Sequence, residues 1–288
     1  MPNTALDTTN TTPETAYVGP LPLYCELHEN APKDPLVLFL PGIATHTALY
    51  RNFLDAIARQ GFNVVGVDLR GHGRSNGDRG LFTVDEVVED ISAIIDHYGD
   101  RFSGPVALLG YSFGSPLALA AAEADDRVRA LLCHTLMLGS HPPDWFHFLG
   151  WQALGWTSIT LPHWRVNLRS LLDVDQLIFN NKYTSWIADD GLLVWEYPVK
   201  TLASVFGYRH RVFKEQLPFR AAVLTGEHDE VVRPSYTKSV LGRLTHRFES
   251  QVLPEMDHMS PFVQTEALAA TSAAWLRRLL SGAKKVTS

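Results

Sequence analysis

At 288 residues the chain could hold one large α/β domain or two smaller ones. Hydrophobic residues make up 45% and charged residues 19% of it, enough apolar content for a substantial core, which excludes wholesale disorder. Against 31 acidic residues stand 25 basic ones, for a net charge of −6 with no basic block, which argues against a nucleic-acid partner.

In chain order, residues 1–16 are polar and Thr-rich with neither a basic nor an apolar leader region, so they read as a loose tail rather than a signal peptide. No run approaches about 18 uninterrupted apolar residues, so no transmembrane span is expected and the expected compartment is cytoplasmic. Leu21–Glu26 and Leu36–Leu40 read as strands, the second almost wholly apolar and stopped by Pro41-Gly42. Leu49–Arg59 has helical spacing, and Phe62–Val67 is a strand followed by the Gly-rich run Gly71–Ser75. Val84–Tyr98 is helical, with Val87, Val88, Ile91, Ile94 and Ile95 on one face. Pro105–Leu109 is a short buried-type strand and Leu117–Ala124 an Ala-rich helix. Strands at Val128–Cys133, Ala221–Leu224 and, more weakly, Gln251–Leu253 precede a C-terminal helix through Ala270–Leu280. Alternating strands and helices, with strands apolar on both faces, mean a mostly parallel sheet covered on both sides, an α/β fold.

Residues 139–211 break this rhythm. Six of the seven Trp residues fall here (Trp145, Trp151, Trp156, Trp164, Trp186 and Trp195), joined by Phe179, Tyr183, Tyr197, Phe206 and others. The segment reads as a mostly helical insertion, a lid, interrupting a core formed by 17–138 and 212–282, with 283–288 as a second tail. Its aromatics serve either as the insertion's own core or as the lining of an apolar pocket. Tyr111, Trp145 and Trp151 are read as substrate contacts.

The sharpest local signal is Gly110-Tyr111-Ser112-Phe113-Gly114, placed between an apolar strand and an Ala-rich helix. A serine on such a turn is held in a strained conformation, and small residues on either side let strand and helix approach. A serine hydroxyl is a weak nucleophile and needs a base that is itself oriented by a third group. Among the twelve His residues, His46, His72 and His228 also follow strands or turns, but His258 satisfies the chain order serine, acid, histidine. In Glu227-His228-Asp229-Glu230 the expected acid is Asp229, with Glu227 as fallback; Asp257 reads as loop-capping. Attack on a carbonyl also needs two N–H donors for the oxyanion, expected from the backbones of Phe113 and Ile43.

On these residues the chain resembles the serine α/β-hydrolases, and among them the monoacylglycerol lipase and lysophospholipase-like group, also classed with serine aminopeptidases. Carrying the resemblance are Leu40-Pro41-Gly42-Ile43, Asp68-Leu69-Arg70-Gly71-His72-Gly73-Arg74-Ser75, Gly77-Asp78-Arg79-Gly80, Gly110 to Gly114, Gly226-x-x-Asp229-x-x-Val232 and His258. It runs from about residue 20 to 282 and is weakest in the lid. The family usually has His-Gly where Pro41-Gly42 stands and Gly-His-Ser-Met-Gly where Gly110–Gly114 stands, and the lid here is unusually Trp-rich. The resemblance implies an α/β-hydrolase fold and an acyl-enzyme on Ser112, on a lipid-like ester with an apolar acyl chain, with no cofactor and no metal. A thioesterase, amidase or iminopeptidase using the same triad remains open, as does a ligand receptor on this fold. Transient membrane-surface contact through lid aromatics also remains open. Epoxide hydrolase and haloalkane dehalogenase readings need an Asp nucleophile, which Ser112 excludes. His141, Asp144 and His147 match no standard metal spacing, and Cys25 and Cys133 lie outside any CxxC pattern.

Overall fold

Leu36, Val37, Leu38, Phe39 and Leu40 are all buried, as a strand covered on both faces requires. The computed structural model describes residues 13–170 and 190–281. The strands are β1 (Glu14–Val18), β2 (Leu23–His28), β3 (Leu36–Leu40), β4 (Asn63–Val67), β5 (Val106–Tyr111), β6 (Val128–His134), β7 (Arg165–Asn167), β8 (Glu196–Pro198), β9 (Arg220–Gly226) and β10 (Phe248–Leu253). Eight of them form one sheet in the order β1-β2-β4-β3-β5-β6-β9-β10, parallel from β4 to β10, with β2 and β1 added antiparallel at one edge. Among the described residues, the helices of eight or more residues are α1 (Arg51–Ala58), α2 (Val84–Gly99), α3 (Gly114–Ala124), α4 (Trp145–Thr160), α5 (Val199–Gly207), α6 (Pro234–Leu241) and α7 (Thr265–Ser281).

Strand alternation splits the core in two. Val37, Phe39, Ala107, Leu109 and Tyr111 pack with α1 and α7 on one face, while Leu36, Leu38, Leu40 and Leu108 pack with α2 and α3 on the other. Thr83 opens α2 with a capping box: its hydroxyl accepts from the Glu86 N–H while the Glu86 carboxylate accepts from the Thr83 N–H.

The structure extends the sequence reading in three places. β1 begins at Glu14, inside the stretch expected as tail; its mostly exposed residues gave no apolar signal. Residues 139–211 are not purely helical, because β7 and β8 pair antiparallel among them. The short helix α6, started by Pro234, lies outside the elements that the sequence pattern predicts. Trp186, Phe179 and Tyr183 lie outside the described residues.

Residues 139–211 lie between β6 and β9, and Gly139 and Phe206, near their two ends, are close. A Cβ on Gly139 would overlap the carbonyl oxygen of Phe206, so a side chain there would push α5 away. Buried Glu123, near the end of α3, accepts from the Val212 N–H at 2.9 Å and lies 3.3 Å from His210 Nδ1, anchoring the return.

Candidate active site

Parallel strands deliver their C-terminal ends to one edge of the sheet, where open α/β folds place their sites. Ser112 directly follows β5 and has φ +50, a left-handed conformation unfavourable for a residue with a Cβ. Its neighbours hold it there: the Ser112 N–H donates to the His134 carbonyl (2.7 Å), and the Ser115 N–H donates to the Ser112 carbonyl (2.9 Å). A Cβ on Gly110 would overlap the backbone of Ser115, and one on Gly114 would overlap the carbonyl oxygens of Leu40 and Pro41. The two glycines therefore let α3 press against β5 and against the loop after β3.

Asp229 lies three residues beyond β9 and His258 five beyond β10. His258 Nδ1 is 2.9 Å from Asp229 Oδ2, and its Nε2 is 3.0 Å from Ser112 Oγ. A carboxylate only accepts, so Nδ1 carries the proton and the Nε2 lone pair faces the Ser112 hydroxyl. The other oxygen of Asp229 accepts from the N–H groups of Val231 (2.9 Å) and Val232 (2.7 Å). Burial alone would raise the Asp229 carboxyl pKa, but attraction to His258, its hydrogen bond and the Val232 N–H together carry it below the ordinary carboxylate value. Ser112 is half-buried while Asp229 and His258 are buried, so the chain of bonds opens to solvent at its serine end.

The other candidates stand apart. Glu227 is exposed, and its carboxylate accepts from the Glu255 N–H. Asp257 caps its own loop by accepting from the Met259 N–H at 2.8 Å. His228 is exposed, His46 pairs with Asp190 at 2.8 Å, and His72 is buried against Tyr197. Asp68 stitches two loops by accepting from the N–H groups of Thr47 and Arg74.

Ile43 and Phe113 lie on the abutting loops after β3 and β5. Their N–H groups donate to no side chain or loop carbonyl among the described residues. The Gly42 end of the first loop is fixed internally: Thr45 donates to the Gly42 carbonyl at 2.7 Å, and the Gly42 N–H donates to the Tyr50 hydroxyl at 3.3 Å.

Tyr111 sits elsewhere than the substrate-contact reading expected. It is buried behind His258, between Tyr50, His134 and Phe262, and its hydroxyl donates to the His258 carbonyl. Strand alternation could have revealed this, since Ala107, Leu109 and Tyr111 share the face packed on α1 and α7. Trp145 is 70% exposed and stacks on Phe148, so it lines no closed pocket among the described residues. Trp151 stacks on Phe206 (4.9 Å between centroids, 10° between planes), and Phe206 meets Phe113 edge-on at 6.5 Å. A file of rings thus runs from the residue after Ser112 to α5 and α4.

No local sequence signal marks His134. This buried ring stacks on Tyr111, neither of its nitrogens has a hydrogen-bond partner among the described residues, and burial pushes its pKa down to about 4. His141, Asp144 and His147 do not converge as ligands: His147 pairs with Asp144, while His141 meets Ser239 at 3.0 Å. The metal-type side chains that do converge among the described residues are Glu227, His228 and Glu255, all of them exposed.

A family model described as serine aminopeptidase, S33, matches residues 31–262. The epoxide hydrolase B of Mycobacterium tuberculosis is 33% identical over 88 residues, 30% of this chain and 24% of that protein. The chain spans about a quarter to a third of the length of the curated relatives it matches. Among solved structures, a monoacylglycerol lipase from Paleococcus ferrophilus superimposes with a TM-score of 0.73 at 21% identity, covering 88% of this chain and 98% of that one. A soluble variant of the Saccharomyces cerevisiae monoglyceride lipase reaches 0.75 at 13% identity, covering 97% and 99%. At such identities these likenesses establish the fold. No helix among the described residues is long and apolar enough to cross a membrane. With the family model matched over most of its length, the chain belongs to the serine aminopeptidase S33 family of α/β-hydrolases.

Proposed function

We propose that the protein hydrolyses a carboxylic ester with an apolar acyl chain, of the monoacylglycerol or lysophospholipid kind, through an acyl-enzyme on Ser112. The observation that carries this reading is the continuous chain from Ser112 Oγ through His258 to Asp229, with contacts of 3.0 and 2.9 Å. Ser112 Oγ attacks the ester carbonyl as its proton passes to His258 Nε2, and Asp229 stabilises the imidazolium without taking the proton. The N–H groups of Ile43 and Phe113 receive the oxyanion. The intermediate collapses, and His258 returns the proton to the departing alcohol. Water, deprotonated by the same nitrogen, then releases the acid.

An apolar acyl chain is favoured by the ring file Phe113–Phe206–Trp151, which leads from the nucleophile into the insertion. We read residues 139–211 as a lid on the core and the lipase names of the structural neighbours as pointing to the same substrate class. The compartment we propose is the cytoplasm, in keeping with two buried free cysteines.

The test is hydrolysis of p-nitrophenyl esters from acetate to palmitate by wild type and Ser112→Ala. Turnover greatest at medium or long chains and lost in Ser112→Ala is the expected result. A maximum at acetate moves the substrate to small esters, and cleavage of aminoacyl anilides in preference to esters moves it to amides. A folded wild-type protein that turns over none of these fits a ligand receptor instead.

A further inference from the structure

The structure assigns Tyr197, supported by His72, a positioning role: it holds the Ile43–Ala44 stretch of the oxyanion loop in its working shape. This rests on the hydrolase reading above.

Ala44 has φ +65, a left-handed conformation that a residue with a Cβ adopts only when its surroundings impose it. Its two backbone groups are held from outside the loop. The Ala44 N–H donates to the Tyr197 hydroxyl at 2.9 Å, and the Ala44 carbonyl accepts from the Val194 N–H at 2.9 Å. Thr45 and Tyr50 fasten the Gly42 end from nearby in sequence. The Ala44 end, one peptide from the proposed donor Ile43, is fastened by the returning arm of the insertion.

Tyr197 is itself locked. His72 Nδ1 lies 3.0 Å from the Arg70 carbonyl, which can only accept, so Nδ1 bears the hydrogen and Nε2 a lone pair. The Tyr197 hydroxyl, 2.6 Å from that Nε2, therefore donates to it and turns its own lone pair to Ala44. Tyr197 is fully buried and His72 nearly so, leaving no room for water to replace either bond. The Tyr197 ring also meets Phe113 edge-on at 6.1 Å, so one side chain touches both loops that supply oxyanion donors.

The experiment compares Tyr197→Phe with wild type in the full chain, reading kcat and KM on a p-nitrophenyl ester, inhibition by an alkyl trifluoromethyl ketone, and Tm. A donor displaced by a fraction of an ångström lowers kcat about ten- to 100-fold with KM little changed. Inhibition by the ketone, whose adduct carries the oxyanion, should weaken by a similar factor. His72→Asn, which keeps the donor to Arg70 and drops the acceptor for Tyr197, should lower kcat in the same way. His72→Gln, whose amide reaches the Nε2 position, should restore most of it. A folded Tyr197→Phe with wild-type kcat and ketone affinity overturns the inference, as does a loss confined to Tm; if that variant does not fold, the His72 pair decides by the same criteria. If wild type turns over no ester, the hydrolase reading fails by itself. Amide hydrogen exchange then decides the inference: faster exchange at Ala44 in Tyr197→Phe supports it, and unchanged exchange overturns it.

Discussion

The hydroxyl of Tyr111 donates to the backbone carbonyl of His258, so the residue before Ser112 supports the loop that carries His258. The two residues are 147 positions apart, and their rings also lie 5.4 Å from each other. Any shift of the β5 end relative to the His258 loop would strain this bond as well as the one between Ser112 and His258.

Tyr111→Phe removes that bond and keeps the ring. The buried His258 carbonyl loses a donor, for a stability loss of about 1–3 kcal/mol. Ester kcat should fall several-fold while KM stays near wild type. Urea midpoints and steady-state kinetics on the same preparation check both. Unchanged kcat would mean that the Asp229 contact alone orients the base.

Asp229→Asn retains the size of the side chain and an oxygen for the Val231 and Val232 N–H groups, so the fold should persist. Without its charge the asparagine stabilises neither the His258 tautomer nor the imidazolium, and kcat should drop by about 10⁴. Glu227→Gln, at an exposed position turned toward Glu255, should leave kcat unchanged. The reverse pattern would make Glu227 the acid.

His134 makes stability depend on pH. Its ordinary pKa of 6.5 falls to about 4 in the folded protein, first because of burial and then because of repulsion by His258. Between those values the unfolded chain binds more protons, so stability declines as the pH drops through that window, by about 3 kcal/mol for this group alone. Both ring nitrogens lack partners among the described residues, so His134→Leu sacrifices no hydrogen bond. Denaturant midpoints from pH 8 to pH 4 should show a shallower decline in the variant. Parallel curves would place the acid sensitivity in other groups.

Trp151→Ala should interrupt the ring file that starts at Phe113. Losing one half-buried aromatic contact of roughly 1–2 kcal/mol should lower kcat/KM about tenfold on long-chain esters and spare acetate. Trp156→Ala, at a position 74% exposed, should have little effect on either. Equal losses on all chain lengths would mean that Trp151 only holds α4 to α5.

The legible parts of this protein are those where a short window carries the physics. Leu36–Leu40 reads as a doubly covered strand because every residue is apolar, and Ser112 reads as a nucleophile because two glycines and a strand–helix junction frame it. His258 follows from chain order once Ser112 is granted, and the fold brings it within 3.0 Å of Ser112 Oγ. β1 escapes notice because an edge strand with mostly exposed residues has little hydrophobic pattern to show. The bond between Ala44 and Tyr197 spans 153 residues, and nothing near either one announces it. His134 belongs with these: its burial comes from neighbouring strands and loops, and nothing within its own strand, which also carries Arg129, singles it out.

A stretch whose ends meet, as Gly139 and Phe206 do, can be exchanged as a cassette, because a short turn could rejoin the cut chain with little loop-closure entropy. Evolution or an engineer could thus fit new specificities onto an unchanged catalytic chassis. Here the cassette also brings Tyr197 and Val194, so a graft that ignored them would install a new pocket beside a slackened reaction centre. Selectivity and turnover would then have to be bred together rather than one after the other.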